Sequence, residues 1–128
     1  MGSPTSVTGV DFVTVFVRDY PAALEFYGTL LGLEHAVDYG QIPAGELETG
    51  NLTLQLIDAA SVGIEFQPSG HPIAFHVADV EATRAELESK GIEFLGATMD
   101  SGVCRMAHFK DPSGNALMLH HRYAPRAS

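Results

Sequence analysis

The apolar positions near the start of the chain change from a strand pattern to a helix pattern. Residues 12–17 read FVTVFV, and this run of β-branched and aromatic side chains predicts a β-strand. Asp19 follows at a helix N-cap position. Apolar residues then recur at helical spacing from Tyr20 to Leu31, and Gly32 predicts the end of the helix.

Three shorter apolar runs follow this helix. They predict strands at 33–39, 46–49 and 52–57, and the glycine, proline and asparagine residues between them are typical of turns. The segment 59–70 has neither periodicity and is predicted to be a loop.

The same order of patterns begins again in the second half of the chain. Residues 73–77 predict a strand, Asp79 the N-cap of a second helix, and Gly91 its end. Three more strands are predicted at 92–95, 103–109 and 116–120.

The two halves align as an internal repeat. VRDYPA at 17–22 aligns with VADVEA at 77–82 at an offset of 60, and GLE at 32–34 aligns with GIE at 91–93 at an offset of 59. A repeated strand-helix-three-strand unit predicts an α+β domain of two βαβββ modules. We expect paired curved sheets around a cavity, with one helix on the outer face of each sheet. An unrelated α+β sandwich with accidental internal similarity is the alternative.

The expected domain organisation follows from the bounds of the repeat. We predict a flexible N-terminal segment at 1–9 and a single domain at 10–122, followed by a tail at 123–128. Module one spans about 10–58 and module two about 72–122.

Length, charge and cysteine content restrict the possible partners and location. The 128 residues are 45% apolar, which suits one compact domain. The net charge of −9 disfavours nucleic acid and anionic membranes as partners, and is compatible with a neutral or cationic small molecule. The single cysteine, Cys104, excludes an internal disulfide and is expected to be a buried, inert thiol. Without a signal-peptide pattern, these features predict a cytoplasmic protein.

Two motifs carry a family resemblance. The first is VRDYPAALEFY at 17–27, followed by LGL at 31–33, and the second is FKDPSGN at 109–115. Together they resemble the glyoxalase / bleomycin resistance protein / extradiol dioxygenase superfamily, also called vicinal oxygen chelate proteins. The resemblance covers nearly the whole chain and implies the two-module fold and a homodimer. It leaves the activity open, because the superfamily includes isomerases, dioxygenases, thiol transferases and drug-binding proteins.

The segment DPSGN at 111–115 is explained by turn chemistry alone. Pro112 presets φ for a turn, Asp111 can cap backbone amides, and Gly114 can adopt a positive φ. We therefore predict a structural role for this turn.

Strand alternation predicts which side chains face the cavity. In each strand the more aliphatic set is assigned to the face under a helix. The opposite set, which is predicted to bind a ligand, comprises Phe12, Thr14, Phe16, Gln55, Ile57, His76, Met106, Met118 and His120.

The resemblance also implies where a metal would bind. Metal-dependent members take His, Gln or Glu ligands from the first and last strands of each module, at positions that fall on Phe12, Gln55, Pro72 and Met118. Phenylalanine and proline side chains offer no ligand atom, and methionine suits soft metals rather than the ions this family uses. His71 lies one residue away from the ligand spacing. We therefore predict no metal and no other cofactor.

Several polar residues leave alternatives open. His76 and His120 either bind a ligand, or are structural histidines at the core edge, or act as acid–base groups or ligands of a displaced metal site. Tyr39 either closes one end of the cavity or packs, and Glu46 and Glu48 are predicted to be solvated.

These expectations favour a metal-independent small-molecule binding protein of the glyoxalase/bleomycin-resistance type. Its ligand is expected to be apolar or aromatic, and a cation is compatible with the acidic chain. The alternative is a lyase, isomerase or dioxygenase-like enzyme with a rearranged divalent-metal site or a histidine base. A module that binds a protein partner is a third option.

Overall fold

Two modules of the same element order make up the fold, which a computed structural model describes for residues 6–125. Module one contains β1 (Phe12–Val17), α1 (Tyr20–Leu24), β2 (Glu34–Asp38), β3 (Ala44–Glu48) and β4 (Thr53–Asp58). Module two contains β5 (Ile73–His76), α2 (Val80–Ser89), β6 (Phe94–Asp100), β7 (Cys104–Lys110) and β8 (Ala116–Arg122). A π-helix at Glu25–Leu30 continues α1, and a 3-10 helix at Ala59–Val62 follows β4. Parts of the predicted N-terminal segment and tail, at 1–5 and 126–128, lie outside the described residues.

Each module forms one four-stranded sheet. The strand orders are β1-β4-β3-β2 and β5-β8-β7-β6, with the first two strands parallel and the other neighbours antiparallel. This correspondence confirms the predicted α+β fold of two βαβββ modules. Within the described residues, no helix is long and apolar enough to cross a membrane.

Both helices begin where the sequence predicts. The Asp19 carboxylate accepts the backbone N–H of Ala22 at 3.1 Å, and the Asp79 carboxylate accepts that of Ala82 at 3.0 Å. The predicted single α-helix to Leu31 is wrong in its second half, because a π-helix replaces it. Apolar spacing alone does not distinguish these two helices, since both bury one side.

Every predicted strand except the first has different bounds in the structure, and two of these differences have a visible cause. β3 starts at Ala44 because its pairing with β4 continues to Ile57. β6 spans Phe94–Asp100 rather than 92–95, and its pairing is irregular between Leu95 and Met99. Gly96, with φ 70°, lies within that irregularity and interrupts the alternation on which the prediction rested.

The helix-covered faces of both sheets pack into one core. Phe26, which follows α1, lies with its ring centroid 6.2 Å from that of Phe109 on β7. The other strand residues of this core include Val15, Val17, Leu54, Leu56, Ala107, Leu117 and Leu119. Because both covered faces share one core, the opposite face of each sheet lies on the outside of it.

A buried carboxylate fastens the two modules together. Asp111 Oδ1 accepts the backbone N–H groups of Ser113 and Asn115, each at 2.9 Å. Its Oδ2 accepts the Asn115 amide at 2.8 Å and the Tyr27 hydroxyl at 2.7 Å. Asn115 Nδ2 also donates to the carbonyl of Phe16 on β1 at 2.9 Å. The predicted turn at 111–115 is therefore also a connection between modules.

The Tyr27 hydroxyl remains a donor to this carboxylate. Burial raises the pKa of Tyr27 far above its ordinary value, and the charge and hydrogen bond of Asp111 raise it further. Asp111 is only 4% exposed, so the loss of this donor would leave a buried carboxylate oxygen with one partner fewer.

We predict that Tyr27→Phe lowers the free energy of unfolding by about 1.5–3 kcal/mol, since it removes a buried hydrogen bond to a charged group. Tyr123→Phe is the matched control, because the Tyr123 hydroxyl donates to Asp100 at 2.6 Å on the surface. Urea denaturation measures both variants. Equal stability losses would contradict the role assigned to Asp111.

Candidate functional site

The face of the first sheet opposite α1 is partly exposed to solvent and carries the predicted residues of module one. Strand register places Thr14 beside Gln55 and Phe16 beside Ile57, with Phe12 at the end of the same face. The neighbouring strand β3 adds Glu46 and Glu48, which pair with Gln55 and Thr53. We call this surface the first open face: Phe12, Thr14, Phe16, Glu46, Glu48, Thr53, Gln55 and Ile57.

A chain of hydrogen bonds crosses the first open face. Thr14 Oγ1 donates to Gln55 Oε1 at 2.7 Å, and Gln55 Nε2 donates to the Tyr39 hydroxyl at 2.8 Å. The Tyr39 hydroxyl donates to Glu46 Oε2 at 2.6 Å. All three donors point toward the Glu46 end, so the chain has a fixed direction that ends at a carboxylate.

Glu46 and Glu48, which are predicted to be solvated, are partly exposed and also accept hydrogen bonds from protein side chains. Glu46 is half-buried and accepts from Tyr39, and the half-buried Glu48 accepts from Thr53 Oγ1 at 2.7 Å. Both glutamates alternate with the fully buried Leu47, which places them on the open face of β3.

The electrostatics of this network keep Tyr39 protonated. The hydrogen bond from Gln55 lowers the pKa of Tyr39, but the hydrogen bond to Glu46, burial and the charge of Glu46 together raise it above its ordinary value. The residues of the first open face include two carboxylates and no lysine or arginine. This surface therefore favours cations and hydrogen-bond donors.

The corresponding face of the second sheet is rich in methionine and histidine. Register places His76 beside His120 and His120 beside Met106, while Met118 lies beside His108. Met99 on β6 pairs with Met106 in turn. We call this surface the second open face: Ala74, His76, Met99, Met106, His108, Met118 and His120.

Neither His121 nor His71 belongs to either open face. A ring nitrogen of His121, Nδ1, is 3.0 Å from the carbonyl oxygen of Val77 at the end of β5, and its ring centroid is 5.7 Å from that of His76. His71 is exposed in the loop before β5, where its backbone N–H donates to Ser69 Oγ at 3.2 Å.

The structure groups the predicted residues by sheet but does not join the two groups. Strand pairing connects no strand of one sheet to the other among residues 6–125. A cavity of about 610 Å³ lies between the modules, and His76 is the one predicted ligand-binding residue that lines it. One chain therefore presents two separate open faces.

The side chains at the family's metal positions do not fit a divalent ion. Phe12 and Pro72 offer no ligand atom, and both ends of the Gln55 amide already bond protein partners. In the part of the chain that the structure describes, no three His, Cys, Asp or Glu residues are grouped to hold a metal. The absence of a metal stays a prediction that rests on this donor set.

Cys104 is buried, as expected for a structural thiol. Its sulfur lies 3.9 Å from the guanidinium Nη1 of Arg122 on the paired strand.

Comparison with known proteins gives matches of sequence and of fold. Residues 9–119 match a family profile described as "Glyoxalase/Bleomycin resistance protein/Dioxygenase superfamily". YurT of Bacillus subtilis (strain 168), an uncharacterised protein, is 27% identical, and the match covers 83% of this chain and 93% of YurT.

Solved structures with different activities share the fold. TnmS3, an antibiotic binding protein from Streptomyces sp. CB03234, has a TM-score of 0.77 and 24% identity over 93% of this chain and 99% of its own. Lactoylglutathione lyase from Agrobacterium tumefaciens has a TM-score of 0.74 and 17% identity over 91% of this chain and 95% of its own. The profile match spans most of the sequence, and we conclude that the chain belongs to the glyoxalase/bleomycin resistance protein/dioxygenase superfamily.

Proposed function

We propose that this protein binds, without a metal ion, a small molecule with an aromatic or apolar body and a cationic end. The hydrogen-bond chain from Thr14 to Glu46 carries this proposal, because it holds a carboxylate in place beside an aromatic surface. The description of TnmS3 as an antibiotic binding protein supports a binding role on this fold.

The direction of the hydrogen-bond chain favours a ligand that donates to Glu46. Tyr39 donates to one oxygen of Glu46, Oε2, and a carboxylate can accept further hydrogen bonds at both oxygens. Glu48, two residues along the same strand, adds a second negative charge. A ligand ammonium or protonated ring nitrogen would therefore gain a charge-assisted hydrogen bond at this end.

The apolar residues of the open faces suit the body of such a ligand. On the first open face, Phe12 is 50% exposed and Phe16 and Ile57 are half-buried. On the second, Met106 and Met118 are flexible side chains that adapt to flat ligands. Apolar walls with a few ordered polar groups are typical of small-molecule sites.

A pocket with both open faces as walls requires a second copy of the chain. The two faces lie on the outside of one shared core, so the first face of one protomer would meet the second face of its partner. Strand pairing places Leu95 beside His108 of the second open face. The large apolar side chains of Phe12, Leu95 and Met99 are 50%, 52% and 54% exposed and would be buried by this contact. We therefore include a homodimer in the proposal.

A cytoplasmic location is also part of the proposal. The one cysteine, Cys104, is a free buried thiol, and no disulfide stabilises the fold. Such cysteine usage is typical of reducing compartments.

Charge recognition is tested with two planar tricyclic probes, cationic proflavine and uncharged acridone. We expect proflavine to bind about threefold to tenfold more tightly than acridone, because of its contact with Glu46. Glu46→Gln should remove this difference, while Glu81→Gln on the exposed side of α2 should preserve it. Isothermal titration measures the affinities; equal affinity of both probes for the natural protein would refute the cationic preference.

Elemental analysis of protein purified without chelator tests the metal-free character. We expect no stoichiometric transition metal, because the Gln55 amide is engaged and its neighbours at the family's metal positions are poor ligands. Proflavine affinity should also be unchanged by EDTA. Near-stoichiometric zinc, nickel, manganese or iron would instead favour the enzyme alternative.

A further inference from the structure

The two modules are in close contact on the side of α1 and in looser contact on the side of α2. After α1, Phe26 packs on module two and Tyr27 bonds Asp111. The repeat offset of 60 residues places Glu86 and Leu87 of α2 at the equivalent positions. A glutamate and a leucine cannot reproduce the ring packing and hydroxyl bond of the first pair.

The turns that face these helices differ in the same way. In module two, Asn115 and Ser113 reach across to β1, where they bond the carbonyl of Phe16 and the N–H of Arg18. In module one, the hydrogen bonds of the β3–β4 turn are made within the turn. Thr49 Oγ1 donates to the Leu52 carbonyl at 2.6 Å and accepts the Leu52 backbone N–H at 3.1 Å. No hydrogen bond from this turn to α2 or β5 is present in the described residues.

The cavity of about 610 Å³ lies at this loose side. Its floor is formed by Leu54, Leu87 and Leu119, which are 0%, 4% and 2% exposed. Leu31 and Phe75 add apolar walls from both modules. The volume is within the range of about 300–1,000 Å³ that is typical of small-molecule sites.

The charges around the cavity lie at its rim and pair with one another. Lys90 Nζ is 3.6 Å from Glu86 Oε1 and donates to the Leu30 carbonyl at 3.3 Å. The buried floor holds no ionisable group that could accompany a charged ligand, and an unpaired charge there would be strongly unfavourable. The cavity therefore selects against ions.

We propose that this inter-module cavity is a second ligand site, which binds uncharged, apolar aliphatic or aromatic molecules. It differs from the open-face site in ligand charge, and it shares only Ala74 and His76 with the second open face. One chain forms all of its walls, so it does not depend on a dimer.

The uncharged fluorescent probe N-phenyl-1-naphthylamine tests this site. Thr83 lines the cavity from α2, and Thr83→Trp should fill the space and weaken probe binding about tenfold or more. Glu81→Trp, on the exposed side of the same helix, should change the affinity by less than about twofold. If Thr83→Trp fails to fold, Leu52→Trp replaces it. Leu52 lines the opposite wall of the cavity, and its replacement by tryptophan should weaken probe binding to the same extent.

Four results would overturn the second site. The first is an absence of probe binding to the natural protein. The second is unchanged affinity in folded Thr83→Trp or Leu52→Trp, with folding checked by circular dichroism. The third is loss of probe binding in Phe12→Asp, which would place the probe on the first open face. Conversion of a dimer to a monomer by Thr83→Trp would also overturn it, because a second copy would then cover the cavity.

Discussion

The buried carboxylate of Asp111 is the interaction on which the arrangement of the two modules depends. It accepts four hydrogen bonds, from the Ser113 and Asn115 backbone, the Asn115 side chain and the Tyr27 hydroxyl. A buried carboxylate is costly unless its oxygens are satisfied, so the turn, β1 and the helix after it are held in one geometry. That geometry directs both helix-covered faces into one core and leaves both open faces outside.

Internal duplication has produced two surfaces with different chemistry. The first open face carries a directed chain of hydroxyl, amide and carboxylate groups, whereas the second carries thioethers and imidazoles. The Glu46 end attracts positive charge, and the methionines accommodate an apolar body. Together they are complementary to different parts of one ligand, which is why we assign binding to the two faces jointly. The superfamily hosts several activities on this scaffold, so these side chains rather than the fold indicate what is bound.

Much of the fold could be predicted from periodicity and caps. Asp19 and Asp79 both begin helices, and the alternation of Thr14 and Gln55 with buried neighbours places them on one face. The π-helix could not be predicted, because its apolar spacing is close to that of an α-helix. Most of β6 could not be predicted, because Gly96 interrupts the alternating pattern of this strand.

The candidate site was less predictable because it depends on pairing between strands. The hydrogen bond between Tyr39 and Glu46 can be predicted only if one knows that Glu46 lies opposite Gln55. No pattern in the sequence predicts the inter-module cavity. It arises where the turn at 49–52 fails to reproduce contacts that the turn at 111–115 makes, which is a property of tertiary packing.

In the proposed dimer, the first open face of one protomer and the second open face of its partner bind one ligand. Complementation tests it most directly, with Gln55→Arg disabling the first face and Met118→Arg the second. Neither variant alone should bind proflavine, but an equal mixture that is unfolded and refolded together should regain about a quarter of the sites, since each mixed dimer contains one intact pocket. A mixture that binds no more than the separate variants would contradict the claim.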